Sequence, residues 1–221
     1  MLDQFPDITP NAMAVWARAQ HVAYLLRLRP EALAYLAANR VNKDVQVGYT
    51  NLEQVPMPFP LPQKSWSMHV RHGDKGGEMR LVPFREFILT AEKYAMQNPI
   101  ESRKWAFVSS DDPEVFEVMK KTVSIKDTDT VSNKQWHWFM SNMVRSTEVQ
   151  FATLEGQANK TVTTLDWLSQ LFLALECEAF VGTRGSNWNA LIEELRGTWA
   201  PAARGPYLDV SREHDWMNYP A

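Results

Sequence analysis

The densest chemistry in the chain lies at residues 69–78, HVRHGDKGGE. Arg71 and Lys75 bring cations, His69 and His72 imidazoles, Asp74 and Glu78 carboxylates. Gly73, Gly76 and Gly77 let the backbone approach a bound group closely. Cations among glycines suit a phosphate. The glycine and lysine spacing is not that of a Walker loop, and an ordinary surface turn is the structural alternative. On a strand His69 and Arg71 share one face, with Met68, Val70 and His72 on the other. That alternation argues against His69 and His72 as joint metal ligands.

Further clusters follow. In SSDDP, residues 109–113, Asp111 and Asp112 stand together before a proline. One aspartate suffices to cap a helix; the pair can also orient a basic loop or accept a sugar or ribose hydroxyl. No histidine or third carboxylate adjoins them, so a metal site has little support. In GTRGSN, residues 182–187, Ser186 and Asn187 open a helix. Its first amides are an anion seat, or simply a strand-to-helix turn. KQWHWFM, residues 134–140, sets aromatics around His137; a sugar-packing surface is the functional reading and core the expected one. Cys177 is the single cysteine and lies in the apolar LALECEAFV, so it reads as a buried, inert thiol with no disulfide partner. Asn159 opens an NKT triplet, a glycosylation acceptor only in a secretory context.

These groups must be held by regular elements. Residues 12–39 have apolar groups at helical spacing, broken at Pro30 into two helices. Residues 54–63, QVPMPFPLPQ, read as an extended connector. Then strands and helices alternate. WSMHVR, KWAFVSS, AFVGT and GPYLDV read as strands, with TVSIK (122–126) as a further one. VPFREFILTAEKYAMQN, DDPEVFEVMKK, TVTTLDWLSQLFLALEC and SNWNALIEELRG read as helices. The stretch from Asp127 to about Thr161 reads as polar and irregular. The pattern predicts an α/β fold with a parallel sheet and helices on both faces. In such sheets ligands bind beyond the carboxyl ends of the strands, where the three polar loops after WSMHV, KWAFVSS and AFVG would converge. A helical segment and connector over 1–63 and an α/β domain over 64–221 are the expected division.

The bulk numbers are those of an ordinary globular chain: 45% hydrophobic and 22% charged residues over 221 positions. A net charge of −3 offers no basic field for nucleic acid or an anionic membrane. No signal peptide or membrane span is read.

Taken in order, four segments resemble fucosyltransferases of the group that includes the α-1,6-fucosyltransferases and the nodulation fucosyltransferases. They are WARAQHVAYLLRLRPEAL, HVRHGDK (similar to the family's HVRRTDK), AFVSSDDPEVF, and LDWLSQLFLALECEAFVGTRGSN with the WNALIEELR that follows. His72 and Gly73 stand where the family has arginine and threonine. The resemblance implies the Rossmann-like donor half of a GT-B glycosyltransferase. It would bind GDP-fucose without a metal and transfer fucose, with inversion, to a glycan or glycoprotein acceptor; the Golgi lumen is the implied compartment. Carried over by motif, Arg71 grips the diphosphate, and Lys75 and Asp74 balance charge in the loop. His69 and Asp166 contact the nucleotide, Asp111 and Asp112 match the family's aspartate pair, and Ser186 with Asn187 open the last helix. Glu78 is the best local candidate for the base. The residues before His69 are too few for a second α/β domain, so weak transfer by this chain alone is expected. Two other readings remain. RHG at 71–73 also resembles the histidine phosphatase motif, with His72 as nucleophile. A catalytically silent nucleotide-sugar-binding module is the third.

Overall fold

The computed structural model describes residues 10–50, 53–98, 104–124, 136–143, 145, 160–198 and 205–211. Helices α1 (Pro10–Leu25) and α2 (Pro30–Val41) come first. Pro30 opens α2, where its missing N–H is no loss, and Arg29 before it is extended, with ψ 155°. Strands β1 (Gln46–Thr50) and β2 (Glu53–Pro56) follow. The alternating part runs β3 (Trp66–Val70), a 3-10 turn (Gly73–Gly77), α3 (Phe84–Gln97), β4 (Trp105–Ser110) and α4 (Pro113–Ser124). It continues with β5 (His137–Ser141), α5 (Lys160–Glu176), β6 (Ala179–Gly182), α6 (Asn187–Arg196) and β7 (Tyr207–Asp209).

The seven strands among the described residues form one sheet, in the order β2-β1-β5-β4-β3-β6-β7. The neighbours among β5, β4, β3, β6 and β7 are parallel. The sheet as a whole is mixed, however, because β1 runs antiparallel to both β5 and β2. This corrects the expectation of a purely parallel sheet. The β1–β2 pair, read from sequence partly as connector, covers the edge of β5 that would otherwise present an unpaired ladder. The sheet then ends on two short strands, β2 of four residues and β7 of three.

Alternation along the strands sorts the core into two layers. Met68, Val70, Val108, Trp138 and Val181 pack with Phe84, Phe87 and Met119 of α3 and α4. Phe107, Phe139 and Phe180 point to the other face, where α5 and α6 supply Leu171, Leu175, Ile192 and Leu195. Helices therefore flank both faces. Truncating a wholly buried side chain such as Phe107 or Phe180 to alanine would cost about 3–5 kcal/mol.

Two further expectations change. Thr122–Ser124 finish α4 and do not start a strand; Ile125 and Lys126 lie outside the described residues. Within the segment expected to be irregular, His137–Ser141 form β5. Its aromatics are core: Trp136 stacks on Trp138 at 5.0 Å, Trp138 is wholly buried, and His137 stacks on Trp105 at 4.6 Å. Among the described residues, no helix is long and apolar enough to cross a membrane.

Candidate functional site

The chain steps from β3 through β4 to β5 on one side, then returns to lay β6 and β7 on the other. The order therefore reverses between β3 and β6, and the region beyond their carboxyl ends is the usual ligand position in such sheets. The three polar loops singled out in the sequence leave β4, β3 and β6, which are adjacent strands. The topology thus brings them together.

After β3 the chain turns at once. Arg71 is buried and ion-paired with Asp111, at the end of β4. Asp111 Oδ1 also accepts the His72 backbone N–H at 3.0 Å. Gly73 has φ +39°, a left-handed conformation, and an added Cβ would collide with the Asp111 carboxylate and the Arg71 guanidinium. The glycine is required by both its angle and its neighbours. The two aspartates do different work. Asp112 receives the Glu114 N–H on Oδ1 at 2.8 Å, which caps α4, while its Oδ2 meets His72 Nδ1 at 2.7 Å. His72 Nε2 faces the Val82 carbonyl at 2.9 Å, so both ring nitrogens are engaged within the protein. In this arrangement neither is left to attack a phosphorus atom.

His69 sits on the face of β3 opposite Met68 and Val70, toward α6. Its Nδ1 is 2.8 Å from Ser109 Oγ, on the strand position directly across, and its ring lies 6.4 Å from Trp188 of α6. Burial, and secondarily the Arg71 charge, pushes its pKa down to about 3, so the ring is neutral at ordinary pH. Its Nε2 is buried without a partner. A second unused polar atom belongs to α6: Asn189 is fully buried, its Nδ2 donates to the Thr183 carbonyl at 3.0 Å, and its Oδ1 has no partner. Such groups are destabilising unless something completes them.

The remaining sequence-predicted residues fall into place as follows. Lys75 is ion-paired with Glu78, whose side chain is 55% exposed. Asp74 lies in the 3-10 turn, but its side chain is outside the described residues. Ser186 turns inward and caps α6 by accepting the Asn189 N–H, and Asn187 is exposed in the first turn. Asp166 is not brought to this group; it accepts hydrogen bonds from Tyr35 at 2.9 Å and Asn39 at 3.4 Å, both on α2. Cys177 is buried, and burial pushes its thiol up to about 12. Asn159 lies outside the described residues. No cluster of three metal-ligating side chains occurs among the described residues.

Sequence reasoning missed Ser109, Trp188 and Asn189 as site members. Ser109 was findable, since period-two alternation puts it on the face of Phe107 and, across the ladder, of His69. Asn189 was findable as the polar residue three positions after the Ser186 cap, where a helix turns inward.

Searched against protein-family models the chain matches none, and a search of curated proteins also finds no match.

Proposed function

We propose that the chain binds a nucleoside-diphosphate sugar, GDP-fucose, beyond the carboxyl ends of β3 and β6, as the Rossmann-like donor half of a GT-B fucosyltransferase does. The single observation that carries this reading is the reversal of strand order at β3 and β6, with the HVRHGDK loop on one side and the capped start of α6 on the other. A leaving diphosphate accumulates negative charge as the sugar departs. The groups suited to stabilise it are Arg71, held in place by Asp111, Lys75, and the first amides of α6. Lys75 reaches phosphate by exchanging its exposed partner Glu78, an inexpensive exchange because exposed pairs contribute at most about 1 kcal/mol. His69 Nε2 and Asn189 Oδ1 are the unused polar atoms that a nucleotide or sugar hydroxyl would complete.

Transfer further needs a base beside an acceptor hydroxyl. Glu78 follows the loop and is half exposed, and release from Lys75 would free it for that role. The test is calorimetric titration with GDP, GDP-fucose and GDP-mannose, with and without chelator. Saturable GDP binding that survives chelation and tightens with GDP-fucose over GDP-mannose is expected. Absence of GDP binding, or binding restored only by magnesium, would refute the reading.

A further inference from the structure

A cavity opens among α2, β1 and α5, apolar over most of its lining but with Arg40, Gln46, Ser169 and Glu176 as polar members. It measures about 170 Å³, slightly more than the roughly 150 Å³ that accommodates a benzene-sized ring. Gln46 begins β1, three strands from β3, or about 14 Å at the usual strand spacing. Because β1 is antiparallel, Gln46 lies opposite Ser141 at the carboxyl end of β5, so the cavity is at the same edge of the sheet as the polar loops, displaced sideways from β3.

Its lining is unusual for a packed interface. Gln46 is 2% exposed, and neither its Oε1 nor its Nε2 has a partner. Arg40, also buried, donates from Nε and Nη2 to Glu176 at 3.0 and 2.7 Å, and from Nη2 to the Pro58 carbonyl at 2.9 Å. Its remaining nitrogen, Nη1, is buried and unpartnered. Glu176 is further fixed by the Leu61 N–H at 3.0 Å. Phe59 lines the same cavity and is two-thirds exposed, with the Arg40 guanidinium 4.9 Å from its ring centre.

The chemistry of an occupant follows from what is left over. The bidentate Arg40–Glu176 pair is neutral as a unit, so the cavity has no net charge to attract an ion. Gln46 lacks one donor and one acceptor on adjacent atoms, which a cis-amide edge supplies in reverse. Arg40 Nη1 lacks an acceptor, which the same carbonyl oxygen provides. Phe59 offers an exposed flat face. We infer that this cavity binds a small neutral ring carrying a carboxamide or lactam edge, held by the Gln46 amide and Arg40 Nη1 and covered by Phe59.

The experiment titrates the full chain, followed by protein NMR, with benzamide and 2-pyridone, and with benzoate and toluene as controls. The two amides are expected to bind saturably and at least about tenfold more tightly than either control. Gln46→Leu should weaken amide binding at least about tenfold and also raise the melting temperature, because an unpaired amide leaves the interior. Phe59→Ala, at an exposed position, should weaken it several-fold without loss of fold. No saturable amide binding, equal affinity for toluene or benzoate, or an affinity unchanged in either variant would overturn the inference.

Discussion

Replacing Gly73 by alanine tests whether the strand-end loop is built as described. Two independent costs apply. The residue sits at φ +39°, and an L-residue forced into the left-handed region loses about 1–2 kcal/mol. The new Cβ would also collide with Asp111 Oδ2 and Arg71 Nη1, and lie 3.4 Å from Arg71 Cζ. Arg71 is buried and Asp111 nearly so, so they yield only by separating or by moving the turn. Separating a buried ion pair costs about 3–5 kcal/mol when it leaves a charge uncompensated. If the pair shifts as a unit, the first cost dominates. A destabilisation of about 2–4 kcal/mol is therefore expected, equivalent to a fall in melting temperature of roughly 6–12 °C for a chain of this size. Gly77 provides the internal control, since an added Cβ there meets nothing within 4 Å. Gly77→Ala should stay within about 0.5 kcal/mol. Urea denaturation of the three proteins, with slopes compared, separates stability from denatured-state effects. If Gly73→Ala and Gly77→Ala are equally mild, the Arg71–Asp111 arrangement over Gly73 is wrong.

Other outcomes follow from the same geometry. His69 has a folded pKa of about 3 against an ordinary 6.5, so between those values only the unfolded chain takes up the proton. The resulting stability is complete above about pH 6.5 and is lost toward pH 3, at up to about 1.4 kcal/mol per pH unit; His69→Gln should flatten that limb in urea midpoints measured at several pH values, and an unchanged slope would refute it. Cys177, with its thiol pushed up to about 12 by burial, should resist a thiol reagent at pH 8 in the folded protein and react promptly in denaturant, and rapid labelling of the folded protein would show the burial to be wrong. Arg71→Ala should remove most GDP affinity, a loss of roughly 2–4 kcal/mol, and should also destabilise the fold by stranding Asp111; calorimetry and denaturation read the two effects separately. Glu78→Gln should raise GDP affinity by roughly two- to fivefold by releasing Lys75, and a fall in affinity would place Glu78 in the binding role instead.

Much of the sheet was legible because its parallel strands carry strong local signals. WSMHV and WAFVSS alternate or run apolar between turn residues, and α6 announces itself through Ser186 and Gly197 at its two ends. The β1–β2 pair was not legible. Gly48 interrupts β1, and only the fold explains it: a Cβ there would run into the Phe139 ring at 2.8 Å. Pro56 closes β2, a position tolerated on an edge strand but read from sequence as connector. β5 was hidden by its setting, with Trp136 and His137 following a polar stretch that gives no strand signal. Within the site, loop positions could be read from strand ends, whereas partners could not. Nothing in the sequence says that Asp111 takes Arg71 while Asp112 takes His72 and the helix. Asp166 shows the converse, a residue with a motif match whose hydrogen bonds go to α2.

The short margins of the sheet bear on how the protein behaves when crowded. Long flat edges recruit strands from other molecules. Here one margin is a four-residue strand that begins with Glu53 and stops at Pro56, and the other is only Tyr207–Asp209. Arg196 secures that second margin from behind, donating to the Cys177 carbonyl and the Gly205 carbonyl, each at 3.0 Å. A foreign strand would meet a charge and a proline on one side and three residues of ladder on the other. Concentrated solutions should therefore resist fibrillar self-association through the sheet as long as Arg196 holds, and agitation of Arg196→Met in the presence of an amyloid dye would reveal the edge it guards.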